Sequence, residues 1–269
     1  MFDKLYVLGT GNANAMLCYN TCFALQNGDE FLLTDAGGGN GILKRLADLR
    51  IPLSAIHSVI VTHAHTDHIL GVIWVVRMIA AAMNAGKYEG DLIVCGNDTA
   101  MAALRTFCEL TLQKKQLALL DGRIHFRTVA DGETVPICGV PVTFFDIRST
   151  KAKQYGFTLP LPDGRKLTCL GDEPFNEANR LYAEGAEWLL SEAFCLYGER
   201  ERFHPYEKHH STVLDAAALA EKLGVKNLVL WHTEETDLAH RKARYTAEAE
   251  SRFRGKVFVP DDGEILTLT

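Results

Sequence analysis

Several features that would fix the class of this protein at once are missing from its sequence. Its seven cysteines, Cys18, Cys22, Cys95, Cys108, Cys138, Cys169 and Cys195, are odd in number and never stand as a C-x-x-C pair. That argues against a disulfide framework and a cysteine zinc site, and leaves reduced, mostly buried thiols. Cys18 and Cys22 have no histidine partner at metal-site spacing and read as core or turn residues. Positive charge is not in excess: 28 Lys and Arg against 34 Asp and Glu give a net charge of -6, so no general field draws the chain onto DNA or RNA. The cluster Arg241-Lys242-Ala243-Arg244 reads as a solvated helix face. The longest apolar run, Ile69 to Met83, is interrupted by Arg77 and reads as a buried helix too short to cross a bilayer, so no membrane partner is expected. The start, Met1-Phe2-Asp3-Lys4, has no basic segment, apolar segment or cleavage site, which points to the cytoplasm. Gly9 and Gly11 lack the third glycine of a dinucleotide fingerprint, since Asn14 stands there, and no G-x-S-x-G elbow or P-loop occurs. With no linker, repeat or low-complexity tract in 269 residues, one domain spanning 1–269 is the expectation.

What is present is a mixture of strand and helix patterns. Short runs rich in Val, Ile, Leu and Phe predict strands at Leu5–Leu8, Thr21–Leu25, Phe31–Thr34, Ser58–Thr62, Asp91–Cys95, Ile124–Val129, Val142–Ile147, Gly156–Leu159, Lys166–Leu170, Trp188–Ser191, Asn227–Trp231 and Lys256–Val259. Apolar residues returning at three- and four-residue steps predict helices near Gly41–Leu49, Ile69–Ala85, Thr99–Leu117, Glu177–Glu184, Thr212–Leu223 and Leu238–Phe253. Pro162-Asp163-Gly164 reads as a hairpin turn. Strands come first in hairpins and then alternate with helices, which predicts an α/β sandwich of sheets covered by helices on their outer faces. Trp74, Trp188 and Trp231 fall in predicted elements and are expected in the core.

Chemistry concentrates in Thr62-His63-Ala64-His65-Thr66-Asp67-His68, directly after a buried-strand pattern. Ligands two residues apart on an extended segment point to one side, so His63 and His65 can share one ion while Asp67 and His68 turn toward a second. Gly71 and a long apolar helix follow.

This run resembles the H-x-H-x-D-H signature of the metallo-β-lactamase superfamily, and the resemblance extends through nearly the whole chain. Further matching landmarks are Leu32-Leu33-Thr34-Asp35-Ala36-Gly37, Cys169-Leu170-Gly171-Asp172 and Leu228-Val229-Leu230-Trp231-His232. The resemblance implies a four-layered αβ/βα sandwich in which Asp172 bridges two ions and His232 completes the second site. It also makes Asp35 the carboxylate behind the metal-binding histidines, where it would fix their tautomer and angle. Gly9-Thr10-Gly11-Asn12, Leu189-Leu190-Ser191-Glu192-Ala193 and His210-Ser211-Thr212 are similar to the ribonuclease Z-like branch. That likeness implies His210 as general acid and Glu192 as its orienter, while Thr212 and Asp215 also stand at capping-box spacing.

In one place the pattern breaks. The family has a further histidine between the first motif and the bridging aspartate, and Arg148 falls at that position here. A guanidinium stays protonated and does not ligate metals. The first site would then be completed by His204, His209 or water; or it would stay weak or empty with the Arg148 guanidinium beside it; or activity would be reduced or lost. A firm second site with a weak or empty first one is the reading adopted.

The chemistry expected is metal-assisted hydrolysis of a phosphodiester or similar small ester, an ion lowering the pKa of its water toward about 7 to supply hydroxide. Asp67 is also placed to accept a proton from that water. Arg148, Lys151 and Lys153 are expected to bind the substrate's phosphate. Zinc suits the ligands, with manganese or iron(II) as alternatives, as one or two ions. Between Arg148 and Asp172 there is no room for the long arm with which ribonuclease Z-like enzymes grip transfer RNA, so RNA is a disfavoured partner and a small substrate the expected one. A homodimer is left open. Two competing readings are a nuclease lacking that arm, and a catalytically weakened binding module that keeps the fold.

Overall fold

Both predicted faces of the sandwich exist, each as a seven-stranded sheet with the same internal plan. The structure, a computed structural model, describes residues 1–268. The first sheet contains β1 (Lys4–Gly9), β2 (Cys22–Asn27), β3 (Glu30–Thr34), β4 (Ile56–Val61), β5 (Leu92–Gly96) and β6 (Ile124–Thr128). The second contains β7 (Thr134–Ile137), β8 (Val140–Asp146), β9 (Tyr155–Pro160), β10 (Lys166–Cys169), β11 (Trp188–Glu192), β12 (Asn227–Trp231) and β13 (Lys256–Phe258). β14 (Ile265–Thr267) then returns to the first sheet beside β1. The strand orders are β14-β1-β2-β3-β4-β5-β6 and β13-β12-β11-β10-β9-β8-β7. In each sheet an antiparallel meander gives way to parallel strands, at β3 and β4 in the first and at β10 and β11 in the second.

Parallel strands need crossover segments, and these are the helices that cover the outer faces. α1 (Gly41–Asp48), α2 (Thr66–Asn84), α3 (Asp98–Thr111) and α4 (Lys114–Leu117) follow the strands of the first sheet. α5 (Arg180–Ala183), α6 (Arg200–Phe203), α7 (Val213–Lys222) and α8 (Leu238–Glu250) follow those of the second. Because side chains alternate along a strand, each sheet buries two faces. Leu5, Val7, Phe23, Leu25 and Leu32 meet Phe144, Phe157, Leu167, Leu190 and Trp231 between the sheets, where Phe23 stacks on Trp231 at 4.9 Å. Leu8, Leu33, Val59 and Val61 pack outward on Val72, Val75 and Ile79 of α2, and Leu189, Leu228 and Leu230 pack on Ala216, Ala217 and Ala220 of α7.

Some expectations are corrected. α2 starts at Thr66 and reaches 19 residues, so by length and composition it could cross a bilayer; its buried face instead packs on the first sheet as a core helix. Trp74 lies on the other face of α2, exposed and stacked with Arg77, while Trp188 and Trp231 are buried. The helix expected over Thr99–Leu117 is broken, because Leu112 and Gln113 are extended and Gln113 caps α4. Arg241 is not solvated: its guanidinium is buried and reaches Thr10, Thr233, the Pro260 carbonyl and Asp261, whereas Lys242 and Arg244 form surface ion pairs. All seven cysteines are free thiols.

Candidate metal centre and active site

The histidine run sits where β4 turns into α2, and the local backbone explains its spacing. His65 is the extended residue capping α2, so His63 precedes the helix while Asp67 and His68 occupy its first turn, where the helix dipole favours a carboxylate. α2 reaches this position because residue 71 is glycine: a Cβ there would lie 1.7 Å from the Ala36 carbonyl oxygen. The Asp35-Ala36-Gly37 loop is thereby held against the helix start, with Ala36 N donating to His68 O and Gly71 N to Gly37 O.

From the facing sheet come Asp172 after β10, Glu192 at the end of β11 and His232 after β12. Strand ends of both sheets thus converge on one cleft, the usual place for a site in such folds. Two groups of side chains form with ligand atoms within 4.8 Å of one another: Asp67, His68, Asp172 and His232, and His63, His65 and Asp172. Asp172 belongs to both. Its Oδ2 stands 3.6 Å from His63 Nε2, 3.5 Å from His68 Nε2 and 3.6 Å from His232 Nε2. His63 Nε2 lies 2.9 Å from His65 Nδ1.

Hydrogen bonds behind the cluster decide which nitrogens face it. Asp35 Oδ2 accepts from His68 Nδ1 at 2.8 Å and from the Thr62 hydroxyl at 2.7 Å, and Oδ1 accepts from Thr62 N at 2.8 Å. With its proton given to Asp35, Thr62 Oγ1 is left to accept from His63 Nδ1, 3.0 Å away. One carboxylate therefore fixes two imidazoles with their Nε2 lone pairs turned inward, a tautomer control typical of metal sites.

Asp67 Oδ2 and His68 Nε2 are buried with no hydrogen-bond partner, although they lie 3.1 Å apart. Convergent orphaned atoms of this kind, on imidazole and carboxylate donors, fit divalent cations. The pKa shifts within the cluster agree. Burial lowers His63 to about 4 and His232 to about 3, keeping both neutral as ligands require. Burial works against a charged His68 as well, but the flanking Asp67 and Asp35 carboxylates outweigh it and push its pKa well above the ordinary value. Asp172 is held well below the usual carboxylate range, burial being overcome by His63, His68 and His232.

His210 approaches from the second sheet, its Nδ1 3.5 Å from Glu192 Oε2, and stacks on Phe194. Glu192 is fully buried, its Oε1 accepting from Ser211 N at 2.6 Å, and burial pushes its carboxyl pKa up. The Thr212–Asp215 capping box forms too, so α7 begins immediately after His210. A cavity of about 350 Å³ opens onto the cluster, lined by Asn12, Asn14, His65, Asp67, Lys151, Phe194, Lys208, His210 and His232 among others. Asn12 is held there by bonds from its N and Nδ2 to the carbonyl of Thr233, the residue after His232.

Of the expected phosphate-binding cations, Lys151 lines this cavity, with Nζ 2.8 Å from the Lys208 carbonyl. Arg148 and Lys153 do not. The Arg148 backbone is left-handed, φ +62°, and its guanidinium turns outward to Asp131 at 2.8 Å, while Lys153 pairs with Asp98 at 2.8 Å. Arg148 is therefore not beside the His63, His65 and Asp172 group, and neither is His204, exposed beside Glu207, nor His209, bonded to Thr150. The side chain that does enter is Gln154, whose Nε2 donates to Asp172 Oδ1 and lies 3.1 Å from His63 Nδ1. Sequence reasoning missed Gln154, Thr62 and Lys208; the last stands close enough to His210 in sequence to have been found.

The family model for the Anti-Pycsar protein Apyc1 matches residues 3–243. The chain belongs to the Apyc1 family. Membership agrees with its other similarities. A ribonuclease Z of Thermococcus onnurineus (strain NA1) is 24% identical over 309 aligned residues, covering 98% of this chain and 94% of that one. The metallo-β-lactamase fold protein YhfI from Bacillus subtilis superposes with a TM-score of 0.80 at 20% identity over 99% of each chain. A diphosphatase of the PhnP family does so with a TM-score of 0.72 at 18% identity over 98% of this chain and 96% of that one. This Apyc1 family member is thus a ribonuclease Z-like metallo-hydrolase of the metallo-β-lactamase fold.

Proposed function

We propose that the protein hydrolyses small phosphodiesters with two divalent ions held by His63, His65, Asp67, His68, Asp172 and His232. The observation that carries this reading is the coincidence, in one cleft, of the two ligand groups sharing Asp172 with the His210–Glu192 pair beside them. Zinc is the proposed ion on donor type, with manganese or iron(II) able to use the same set. When bound, such ions polarise a phosphoryl oxygen and make water acidic enough to attack near neutral pH.

The remaining work falls to the chain's own side chains. Asp67 has an unpaired Oδ2 directed into the cluster, where it can orient the attacking water and take its proton. His210 has Nδ1 facing Glu192, so its other nitrogen is free to hand a proton to the leaving oxygen. Lys151 and Lys208 at the mouth supply positive charge for non-bridging phosphate oxygens. A cavity of about 350 Å³ offers room for a compact ester, which supports the small-substrate reading. A neighbour that shares the fold is described as a diphosphatase of the PhnP family, which supports phosphate ester chemistry. From the family's description we also carry over an anti-Pycsar role as the biological setting of this hydrolysis.

The test is a panel of small phosphodiesters, phosphomonoesters, thioesters, lactones and RNA. Turnover confined to the phosphodiesters, and reduced about 10²–10⁴-fold in His210→Ala, is expected. Metal-loaded protein inert on the whole panel would instead identify a binding module.

A further inference from the structure

Gln154 holds a place that the ligand pattern assigns to no residue of this chain. It lies just before β9 with its side chain buried. The backbone around it is tied to the end of β4 that carries His63: Tyr155 N donates to Thr62 O at 3.0 Å, and Asn97 Nδ2 bonds the carbonyls of Thr62 at 3.2 Å and Lys153 at 3.0 Å. Ile147 N donates to the Gln154 carbonyl at 3.1 Å. The side chain passes through a gap left by Gly171, whose φ of +86° suits glycine and where a Cβ would stand 3.0 Å from Gln154 Nε2 and 3.2 Å from its Cδ. The landmark Leu170-Gly171-Asp172 is thus shaped both to present Asp172 and to admit Gln154. At the tip, Nε2 donates to Asp172 Oδ1. The other oxygen, Oδ2, is the one near-equidistant from His63, His68 and His232.

We propose that Gln154 is a positioning residue for an ion at the His63 group: by occupying Asp172 Oδ1, it turns Oδ2 toward His63, His68 and His232, where it would be presented to metal. His63, His65 and Asp172 are then the protein ligands of the first ion, against Asp67, His68, Asp172 and His232 for the second. With three protein ligands against four, an ion at the first group would bind more weakly than one at the second and would depend on Gln154 to present Asp172. This rests on the two-ion reading of the cluster and is independent of the substrate.

The experiment is calorimetric titration of Zn²⁺ into chelator-stripped protein, parent and Gln154→Met, with Co²⁺ absorption spectra of the same samples. Methionine keeps the length and bulk of the side chain and removes the donor. The parent is expected to take two equivalents in two affinity classes. In Gln154→Met the weaker class falls about 10–100-fold, the tighter class is unchanged, and only the spectrum of the second Co²⁺ equivalent shifts. If Gln154→Met does not fold, Gln154→Asn, one methylene too short to reach Asp172, gives the same comparison. Two equivalents with both classes unchanged in the variant, or both weakened together, would overturn the role of Gln154 alone. A parent that takes up a single equivalent would overturn the two-ion reading with it.

Discussion

Asp35 lies behind the proposed ligand nitrogens rather than among them, yet its hydrogen bonds fix which nitrogens face the cleft. It takes the Nδ1 proton of His68 directly and, through the Thr62 hydroxyl, leaves an acceptor for that of His63. Asp35→Asn puts a donor against a donor, and metal affinity is expected to fall about 10–100-fold in a competition titration with a chromogenic chelator; parent-like affinity would show that the imidazoles orient without it. Proton balance gives a second expectation. Against the pull of burial, the Asp67 and Asp35 carboxylates raise the His68 pKa well above its ordinary value, so a proton on its Nε2 competes with any ion for that nitrogen. Metal uptake therefore releases a proton, and affinity rises with pH by up to about tenfold per unit until pH passes the raised pKa. Titrations in buffers of different ionisation enthalpy measure the proton directly; zero release would contradict the assignment. At this scale the clustering of these side chains was legible because a strand end followed by His63, His65, Asp67 and His68 leaves few alternatives. Arg148 was misplaced and Gln154 passed over because they share a connection between β8 and β9 whose path no periodicity fixes. A left-handed residue at Arg148 redirects that path.

Among the elements, α2 bears the greatest constraint, since it carries two of the proposed ligands in its first turn and must sit against the Asp35 loop. Gly71→Ala would drive a methyl group into the Ala36 carbonyl, 1.7 Å away, and the helix would have to move. A loss of about 1–3 kcal/mol in denaturant melts is expected, together with weaker metal binding; a parent-like melt would mean that the contact relaxes freely. The sequence made α2 plain as an apolar helix but not which side faces water, because apolar residues surround it, and so Trp74 was placed inside. β7 and β14 went unread for a different reason. They are edge strands of four and three residues, β7 containing Pro136, too short to display alternation. The paired strand and helix patterns that build both cores were read correctly, since burial on each face enforces them.

Across the whole molecule, two sheets of like connectivity bring their strand ends to one cleft without any repeat in the sequence. Arg241 joins the parts of the chain that meet there, bonding Thr10 beside the first turn, Thr233 next to His232, and the Pro260–Asp261 turn leading to β14. Fold class was legible from the order of elements, whereas this long-range closure was not, since a basic residue on a helix normally faces solvent. The central claim, metal-dependent phosphodiester hydrolysis in this cleft, is tested most directly by steady-state hydrolysis of bis(para-nitrophenyl) phosphate before chelation, after it, and after Zn²⁺ or Mn²⁺ is restored. Turnover that disappears on chelation and returns with metal in the parent, but not in Asp172→Asn, is the result expected. Turnover that survives chelation, or none from fully loaded protein, would contradict the account.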